Sequence, residues 1–511
     1  MLDNLTLLFE GFAGALTPAN LLFSAIGVLL GTAIGVLPGI GPAMAVALLL
    51  PVTYALDPTG AFILFAGIYF GAMFGGSTTS ILLNTPGESA SVMAAVEGNP
   101  MARSGRGAQA LAAAAIGHFI GGVAGAIGLV LLAPLVASVA VDIGAPDYFA
   151  IMVLAFVAVT GVLGRSRVRG FAALAIGLVI GLVGLDPLSG QPRLTFGVPQ
   201  LADGIDVVIV AVGLFAVGEA LWVAAHLRRT VQRPIPVGRP WLSRDDLRRT
   251  WKPWLRGPVI GFTFGSIPAG GAEMSTFMSY VTERRLSRRR DEFGTGAIEG
   301  VAGPEAAASA SSAGTLATML TLGLPTTAIA AVMLAAFQQF GIQPGPLLFE
   351  NEPDLVWTLI ASLFIGLVLL LVLNLPLAPV WAKLLRIPRP YLYAGILFFA
   401  CVGAYAVSGQ PVDLLVLLAI GAVGFLMRRY GLPVLPAIIG VILGPDAELQ
   451  LRRALQLANG DVTTLVSTPL SVVVYLLIAA LLAFPLVRRL RSGRRPAPPT
   501  PPEPPRERVG V

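Results

Sequence analysis

Three features of this 511-residue sequence predict an all-α polytopic membrane protein of about 11–13 transmembrane segments, with broken or re-entrant helices in two inverted-topology repeats. The first is apolar content: 55% of residues are hydrophobic, 12% are charged, and the mean hydropathy is +0.81, outside the range of water-soluble domains. The second is a series of apolar runs, each matched to about 30 Å of hydrocarbon, which takes roughly 20 residues per helix. The third is a set of Pro- and Gly-broken motifs that recurs in the second half of the chain with the flanking charges exchanged.

In chain order, apolar runs at 21–54, 61–96, 108–141, 148–163, 171–185 and 205–226 give an N-terminal transmembrane repeat over residues 1–226. Residues 227–256 read as a basic cytoplasmic linker. Runs at 257–281, 297–340, 355–373, 391–407, 414–427, 432–443 and 470–487 give the C-terminal repeat, 257–487. The stretch 488–511 holds RRLRSGRR and then PAPPTPPEPP, which builds no core and is expected to be a disordered cytoplasmic tail. No basic residue precedes Arg103, so the N-terminus lacks the basic region of a signal peptide and the first apolar run is expected to be retained.

Charge placement excludes several classes. A net charge of +6 and a pI near 9.8 invite nucleic acid as a partner, but the basic residues sit in short clusters between apolar runs. Positive-inside anchoring explains them, with lipid headgroup binding as a further reading. Trp241, Trp251 and Trp254, within the basic linker, suit a membrane interface. Cys401 is the only cysteine, which excludes an internal disulfide and a thiolate cluster and leaves a small core residue. No Walker loop occurs, and the only lysines are Lys252 and Lys383. With His118 and His226 as the only histidines there is no HExxH pair, so neither ATP hydrolysis nor metalloprotease chemistry is expected, and no metal.

The halves share punctuation. GTAIGVLPGIGPAM (31–44) aligns with GFTFGSIPAGGAEM (261–274), matching Gly31, Gly35, Pro38, Gly41 and Met44 at one offset of 230. LLNTPG, ending at Gly87, has a looser counterpart in TLGLPTT, ending at Thr327, with Pro86 opposite Pro325. After the first motif of half one comes TYALDPTG without a cation; after its counterpart comes ERRLSRRRDE. After the second motif the order reverses, Arg103 and Arg106 in half one against GIQPGPLLFENEPD in half two. Opposite orientation follows from the positive-inside pattern, and inverted repeats place a site between the halves near the midplane. The run 257–281 is basic at both ends yet too short to cross twice, which predicts a re-entrant hairpin with 268–271 at its tip.

These breaks supply the candidate substrate-binding residues. Pro38, Gly39 and Gly41 at one tip, and Pro268, Gly270 and Gly271 at the other, interrupt helix and let backbone approach a ligand. Asn84, Thr85, Pro86 and Gly87, with Pro325, Thr326 and Thr327, form the second pair of breaks. Exposed helix N-termini hold carboxylates, and residues 1–102 carry no cation to do so otherwise. Ser77, Thr78 and Thr79 add hydroxyls. The competing reading is structural, with glycines for close packing and prolines for kinks.

Acidic residues inside apolar runs are Glu88, Glu97, Glu219, Glu273, Glu299 and Glu305. Buried carboxylates mark ion pathways, which makes Glu305, among small residues and hydroxyls, the first ion-coupling candidate and Glu88 the second. Glu88 could equally cap a helix. Glu97 and Glu219 read as interfacial, and Glu273 and Glu299 stay open. His118 reads as a packed, hydrogen-bonded histidine, with a proton relay as the sharper alternative. His226, beside Arg228, reads as interfacial.

At these motifs the sequence resembles the large membrane subunit, or permease, of the tripartite tricarboxylate transporter family. The carrying residues are GVLPGIGPAMAVALLLPVTYAL (35–56), GIYFGAMFGGSTTSILLNTPG (67–87), EGNPMARSGRGAQAL (97–111), FGTGAIEGVAGPEAA and LTLGLP, within a similarity over roughly 21–487. The resemblance implies a bacterial inner-membrane symporter for organic anions, tri- or dicarboxylates, driven by H+ or Na+. It also implies two partners, a small four-helix membrane subunit and a periplasmic substrate-binding protein. The chain departs from the family pattern at Pro268-Ala269-Gly270-Gly271, at Ala308-Ser309 and at Leu322-Gly323-Leu324-Pro325-Thr326. A membrane scaffold or assembly subunit, and a membrane-embedded enzyme, are the rival readings; no acid, base or nucleophile set supports the enzyme.

Overall fold

The computed structural model describes residues 2–37, 41–85, 88–140, 143–162, 166–186, 189–226, 235, 241–267, 270–385, 387 and 389–492. In the first half the helices are α1 (Leu2–Ala15), α2 (Pro18–Gly35), α3 (Pro42–Leu49), α4 (Pro58–Leu83), α5 (Val92–Met101) and α6 (Gly107–Ala140). They are followed by α7 (Ala145–Val162), α8 (Arg167–Gly181), a short hairpin of β1 (Gly184–Leu185) and β2 (Pro192–Arg193), α9 (Val207–Ala211) and α10 (Gly218–Ala225). The second half begins with α11 (Arg244–Ser266), α12 (Gly271–Leu286), α13 (Glu299–Leu322), α14 (Ala328–Gln339) and α15 (Leu348–Asn351). It ends with α16 (Pro353–Leu384), α17 (Arg389–Ser408), α18 (Pro411–Arg429), α19 (Val434–Leu457) and α20 (Pro469–Ser492).

Prolines start helices here more than they break them. Thr17-Pro18, Gly41-Pro42, Asp57-Pro58 and Gln410-Pro411 each put an N-cap residue before a proline at the first helical position, where its missing N–H leaves nothing unpaired. Asp57 and Thr17 also accept from backbone amides of the first turn. Among the described residues seven helices are long and apolar enough to span a bilayer, and five shorter apolar helices accompany them. The difference from the expected number of crossings arises where breaks divide an apolar run into pieces too short to cross. Conversely, Val92–Val136 is one apolar stretch of 45 residues, longer than any single crossing, and it is divided at Gly105, which sits at φ 84°.

The repeat is built into the packing. On α2, Gly27, Gly31 and Gly35 face the carbonyls of Leu64, Ile68 and Ala72 on α4, so closely that a Cβ at any of the three would collide. On α11, Gly257, Gly261 and Gly265 do the same against Gly303, Ala307 and Ser311 of α13. The glycines correspond at an offset of 230 and their partners at 239. The same offsets relate two hydrogen bonds: Thr79 Oγ1 donates to Val36 O at 2.5 Å, and Thr318 Oγ1 donates to Ser266 O at 2.9 Å. They also relate two left-handed C-caps, Asn84 at φ 53° and Gly323 at φ 67°. In bilayers, where lipid is as apolar as leucine, this close small-residue packing is what holds helices together.

After the break in each unit the chain turns back, into α3 in half one and into α12 in half two, whose last turn carries Arg284 and Arg285 while the equivalent end of half one has no cation. The repeats are thus inverted by the positive-inside pattern. The expected hairpin within 257–281 is present as α11, a turn, and α12, though Pro268 lies outside the described residues. One boundary shifts: α11 starts at Arg244, inside the stretch read as linker, because Ser243 and Asp246 form a reciprocal capping box and residues 244–256 continue the helix. Trp254 is buried, its Nε1 donating to Ala113 O at 3.1 Å, whereas Trp241 and Trp251 are exposed as expected of interface residues. Cys401 is half-buried against the main core.

Two outcomes follow. Replacing Gly261 with Leu separates α11 from α13 and is expected to lower stability in detergent by roughly 3 kcal/mol or more, since backbone carbonyls cannot yield as side chains do; thermal unfolding checks it. In a Cys401→Ser background, Ser287→Cys labels with an impermeant maleimide from the cytoplasmic side. Labelling from the periplasmic side alone contradicts the inverted arrangement.

Candidate functional site

A cavity of about 590 Å³ lies at the junction of the repeats. Half one lines it with Gly41–Met44 at the start of α3, Tyr69 and Met73 of α4, Glu88, Ala90, Phe215 and Glu219. Half two contributes Gly270–Met274 at the start of α12, Thr326–Ile329 at the start of α14, Arg428 of α18 and Pro433–Leu435 at the start of α19. Three half-length or short helices, α3, α12 and α14, therefore aim their amino ends at one space. Their first-turn amides and aligned peptide dipoles give it a positive polarity without a cation.

Local sequence makes each end. No atom lies within 4 Å of where a Cβ on Gly41 would stand, so the backbone borders open space. Gly271 sits at φ 56°, a conformation that glycine alone adopts without strain, and Thr327 packs over it. Thr327 is the N-cap of α14, its side chain accepting from Ala330 N at 3.3 Å. Thr326 is buried and donates to Gly265 O at 3.1 Å, tying the mouth of α14 to the end of α11. Tyr69 is buried at the cavity wall, opposite the start of α14 from the other repeat.

Charge in the cavity is sparse. Arg428 is its one basic lining residue among the described residues, and it pairs with Glu219 at 2.5 Å. Glu219, read from the sequence as interfacial, meets it because α10 packs against α18 and brings the two charges together. Glu88 and Glu273 add two carboxylates to the wall, and Glu88 lies within electrostatic reach of both Glu273 and Glu305.

The candidate residues divide into groups. Gly41, Glu88, Gly270, Gly271, Thr326 and Thr327 are on the cavity wall. Thr78 and Thr79 turn to backbone carbonyls within the helix packing, Thr78 to Phe74 O and Thr79 to Val36 O. Ser77 donates to Glu305 Oε2 at 2.7 Å, and neither borders the cavity. Asn84 is an exposed helix cap, Thr85 a turn residue beside it, and Pro325 is buried off the wall. Pro38, Gly39, Pro86, Gly87 and Pro268 lie outside the described residues.

Glu305 is fully buried on α13, and His118 Nδ1 of α6 stands 3.0 Å from its Oε2. His118 was expected to be hydrogen-bonded; its nitrogens lie outside hydrogen-bond geometry, and the ring is held instead by the ionisable contact and by Phe74 at 6.0 Å, edge to face. Glu97, also read as interfacial, is enclosed by protein. It is buried and accepts from Tyr280 Oη (2.7 Å) and from the amides of Gly294 (2.5 Å), Gly296 (2.9 Å) and Ala297 (2.9 Å). The carboxylate so held clamps α5 of one repeat to the loop before α13 of the other. On the same face Arg249 joins Glu299 and Glu292, and Arg106 joins Asp246. Against the carboxylates of Glu299 and Glu292 the Arg249 guanidinium is pushed above its usual range despite partial burial.

Sequence reasoning did not find Tyr69 or Arg428. Tyr69 sits in an apolar run with nothing to mark which face it takes, and Arg428 reads as one of the basic residues that end a span.

The family model for the tripartite tricarboxylate transporter TctA family matches residues 21–439. The chain belongs to that family. A protein of Agrobacterium vitis described as an uncharacterized 52.8 kDa protein in the TAR-I ttuC' 3'region is 42% identical over 497 residues, 97% of this chain and 98% of its own length. An uncharacterized protein in the TAR-II ttuC' 3'region of Agrobacterium vitis is 41% identical over 211 residues, 41% of this chain and 87% of its own length. No solved structure matches. This TctA-family chain is thus a multi-pass membrane protein with a transport role.

Glu97→Gln replaces one acceptor with an amide donor aimed at donors. It is expected to cost roughly 2–3 kcal/mol, the scale of losing hydrogen bonds to a buried charged group, read as a lower midpoint of detergent-state unfolding. An unchanged midpoint removes Glu97 from the clamp.

Proposed function

We propose that this chain is the permease subunit of a secondary, cation-gradient-driven tripartite uptake system for organic anions of the tri- or dicarboxylate class. In this reading it lies in the bacterial inner membrane with its C-terminus in the cytoplasm. A periplasmic binding protein delivers the anion, and a small four-helix membrane subunit completes the complex. The observation that carries the proposal is the convergence of the α3, α12 and α14 amino ends on one cavity between inverted repeats. Its volume suits a small ligand, and its first-turn amides with Arg428 suit carboxylate oxygens.

In this mechanism the anion binds amide ends on both repeats at once, Gly41, Ala43 and Met44 on one side and Gly271 with Thr327 on the other. Rocking of one repeat against the other then exposes the same contacts to either face. Two wall carboxylates, Glu88 and Glu273, repel an unaccompanied polyanion. A coupling cation, H+ or Na+, relieves that repulsion, with Glu88 on the wall and Glu305 behind it as the coupling residues. No further cofactor is invoked.

Proteoliposomes holding the complete transporter should accumulate labelled citrate or a dicarboxylate when a cation gradient is imposed. Gly271→Val, strained at positive φ and placed against the binding space, is expected to lower uptake at least about tenfold. Arg428→Gln should raise KM by roughly tenfold, about 1.4 kcal/mol of anion binding. Wild-type rate and KM in both variants would take this cavity out of the transport path.

A further inference from the structure

We infer that the coupling ion is a proton, and that it is held by the His118–Glu305 pair behind the cavity rather than on the cavity wall. This rests on the permease reading above and assigns it a second, separate site. The two side chains come from different helices, α6 and α13, and meet at 3.0 Å where both are almost wholly shielded from solvent. Among the described residues His118 Nε2 has no hydrogen-bond partner, and Ser309 Oγ, one turn after Glu305 on the same helix, has none either. A buried, under-satisfied polar group of this kind is costly and is kept where it has work to do.

The charge argument selects the ligand. With a neutral imidazole the pair carries one uncompensated negative charge at membrane depth; with one added proton it becomes an imidazolium–carboxylate pair of zero net charge. The proton enters on one side, sits on the pair, and leaves on the other, with no other bond made or broken. Moving the pair through a low-dielectric barrier is far cheaper in the neutral form. Na+ fits less well: hard cations want several oxygen ligands, and an imidazole occupies one face of the carboxylate.

Neighbouring residues of α4 face the pair and the cavity wall. Ser77 Oγ donates to the same Glu305 oxygen at 2.7 Å that faces His118. The adjacent residue is Gly76, and its missing side chain lets the Glu88 side chain rest against α4, where a Cβ would lie 3.4 Å from Glu88 Cγ. Glu88 in turn lines the cavity. The other titratable groups facing the pair's helices are Tyr69 on α4, Glu273 on α12 across the cavity, Glu97 of α5 and Tyr280 of α12, which pack on Gly300 of α13, Glu299 of α13, which is paired with Arg249 of α11, and Glu283 of α12, which packs on Gly303 of α13 and is neutralised by Arg256 of α11. On the remaining side Leu367 of α16 packs on Gly122 of α6, beside Ser309. Protonation of the pair therefore reports to the cavity chiefly through Glu88.

The chain has only two histidines, which makes a direct test available. His226 is exposed, so a His226→Asn protein purified in detergent retains one imidazole, that of His118. Its ring-nitrogen NMR signal should change with pH, and Glu305→Gln should move that pH response. A His118 signal indifferent to pH, or to Glu305→Gln, overturns the proposal whether or not transport is observed. In proteoliposomes, His118→Gln and Glu305→Gln should each reduce the ratio of pH-gradient-driven citrate accumulation to citrate counterflow by roughly tenfold, within the usual range of coupling between linked sites. Unchanged ratios overturn it. Accumulation driven by a sodium gradient and insensitive to pH overturns the proton assignment while leaving the permease intact; absence of any carboxylate transport by the wild type defeats the permease reading itself, and the NMR titration still decides the pair.

Discussion

A helix interrupted at membrane depth leaves peptide groups that lipid cannot satisfy, and every other feature of this protein follows from how that is solved. The carbonyls left at the ends of α2 and α11 are taken by hydroxyls from the neighbouring helix, Thr79 on Val36 O and Thr318 on Ser266 O. Those hydroxyls reach because glycine stripes bring each pair of helices into backbone contact. On the far side of each break the problem is reversed: the amides that open α3 and α12 have no carbonyl before them. They are directed into a cavity, where water or an anion can accept from them. Satisfied carbonyls on one side and free amides on the other are one device, present twice.

The duplication also explains why the cavity needs so little formal charge. Two inverted units bring their amide ends to the same space, and α14 adds a third through the Thr327 cap. A dipole end offers polarity that is fixed in direction and costs no burial of a free cation. The one guanidinium present is already paired with Glu219. Any anion entering the cavity would compete with a protein carboxylate for Arg428, which favours reversible over tight binding.

Much of this was legible in the sequence because glycine and proline report backbone geometry directly. The offset of 230 between Gly31 and Gly261 was visible in the letters, and it proved to be an offset between packing contacts. The corresponding offset of 239 between α4 and α13 was nearly invisible beyond Pro86 and Pro325. Those helices conserve the carbonyls they present rather than side chains, and carbonyls are common to every residue. The partners of Glu97 and Glu219 were hidden for a related reason. Proximity to a basic loop sets sequence distance from the interface, but a carboxylate's burial depends on which amides or guanidinium fold back onto it, and Gly294, Gly296 and Arg428 are far away in sequence. Tyr69 was missed because an apolar helix buried on all sides offers no amphipathic pattern to say where a hydroxyl points.

The contacts that cross between repeats are of two kinds. Glycine meets carbonyl where Gly121 of α6 faces Ala306 O of α13 and Gly177 of α8 faces Ala437 O of α19, and a hydroxyl meets a carboxylate where Ser77 of α4 donates to Glu305 of α13. Glycine-on-carbonyl packing resists displacement, because any slide drives backbone into backbone. Hydroxyl contacts exchange partners through small rotations of a side chain. Close backbone packing therefore ties the halves to each other as firmly as it ties the helices within each, and the contacts free to exchange partners are the few polar ones. Ser77 is one of these: it holds Glu305 beside His118, while its neighbour Gly76 leaves room for the Glu88 side chain on the cavity wall.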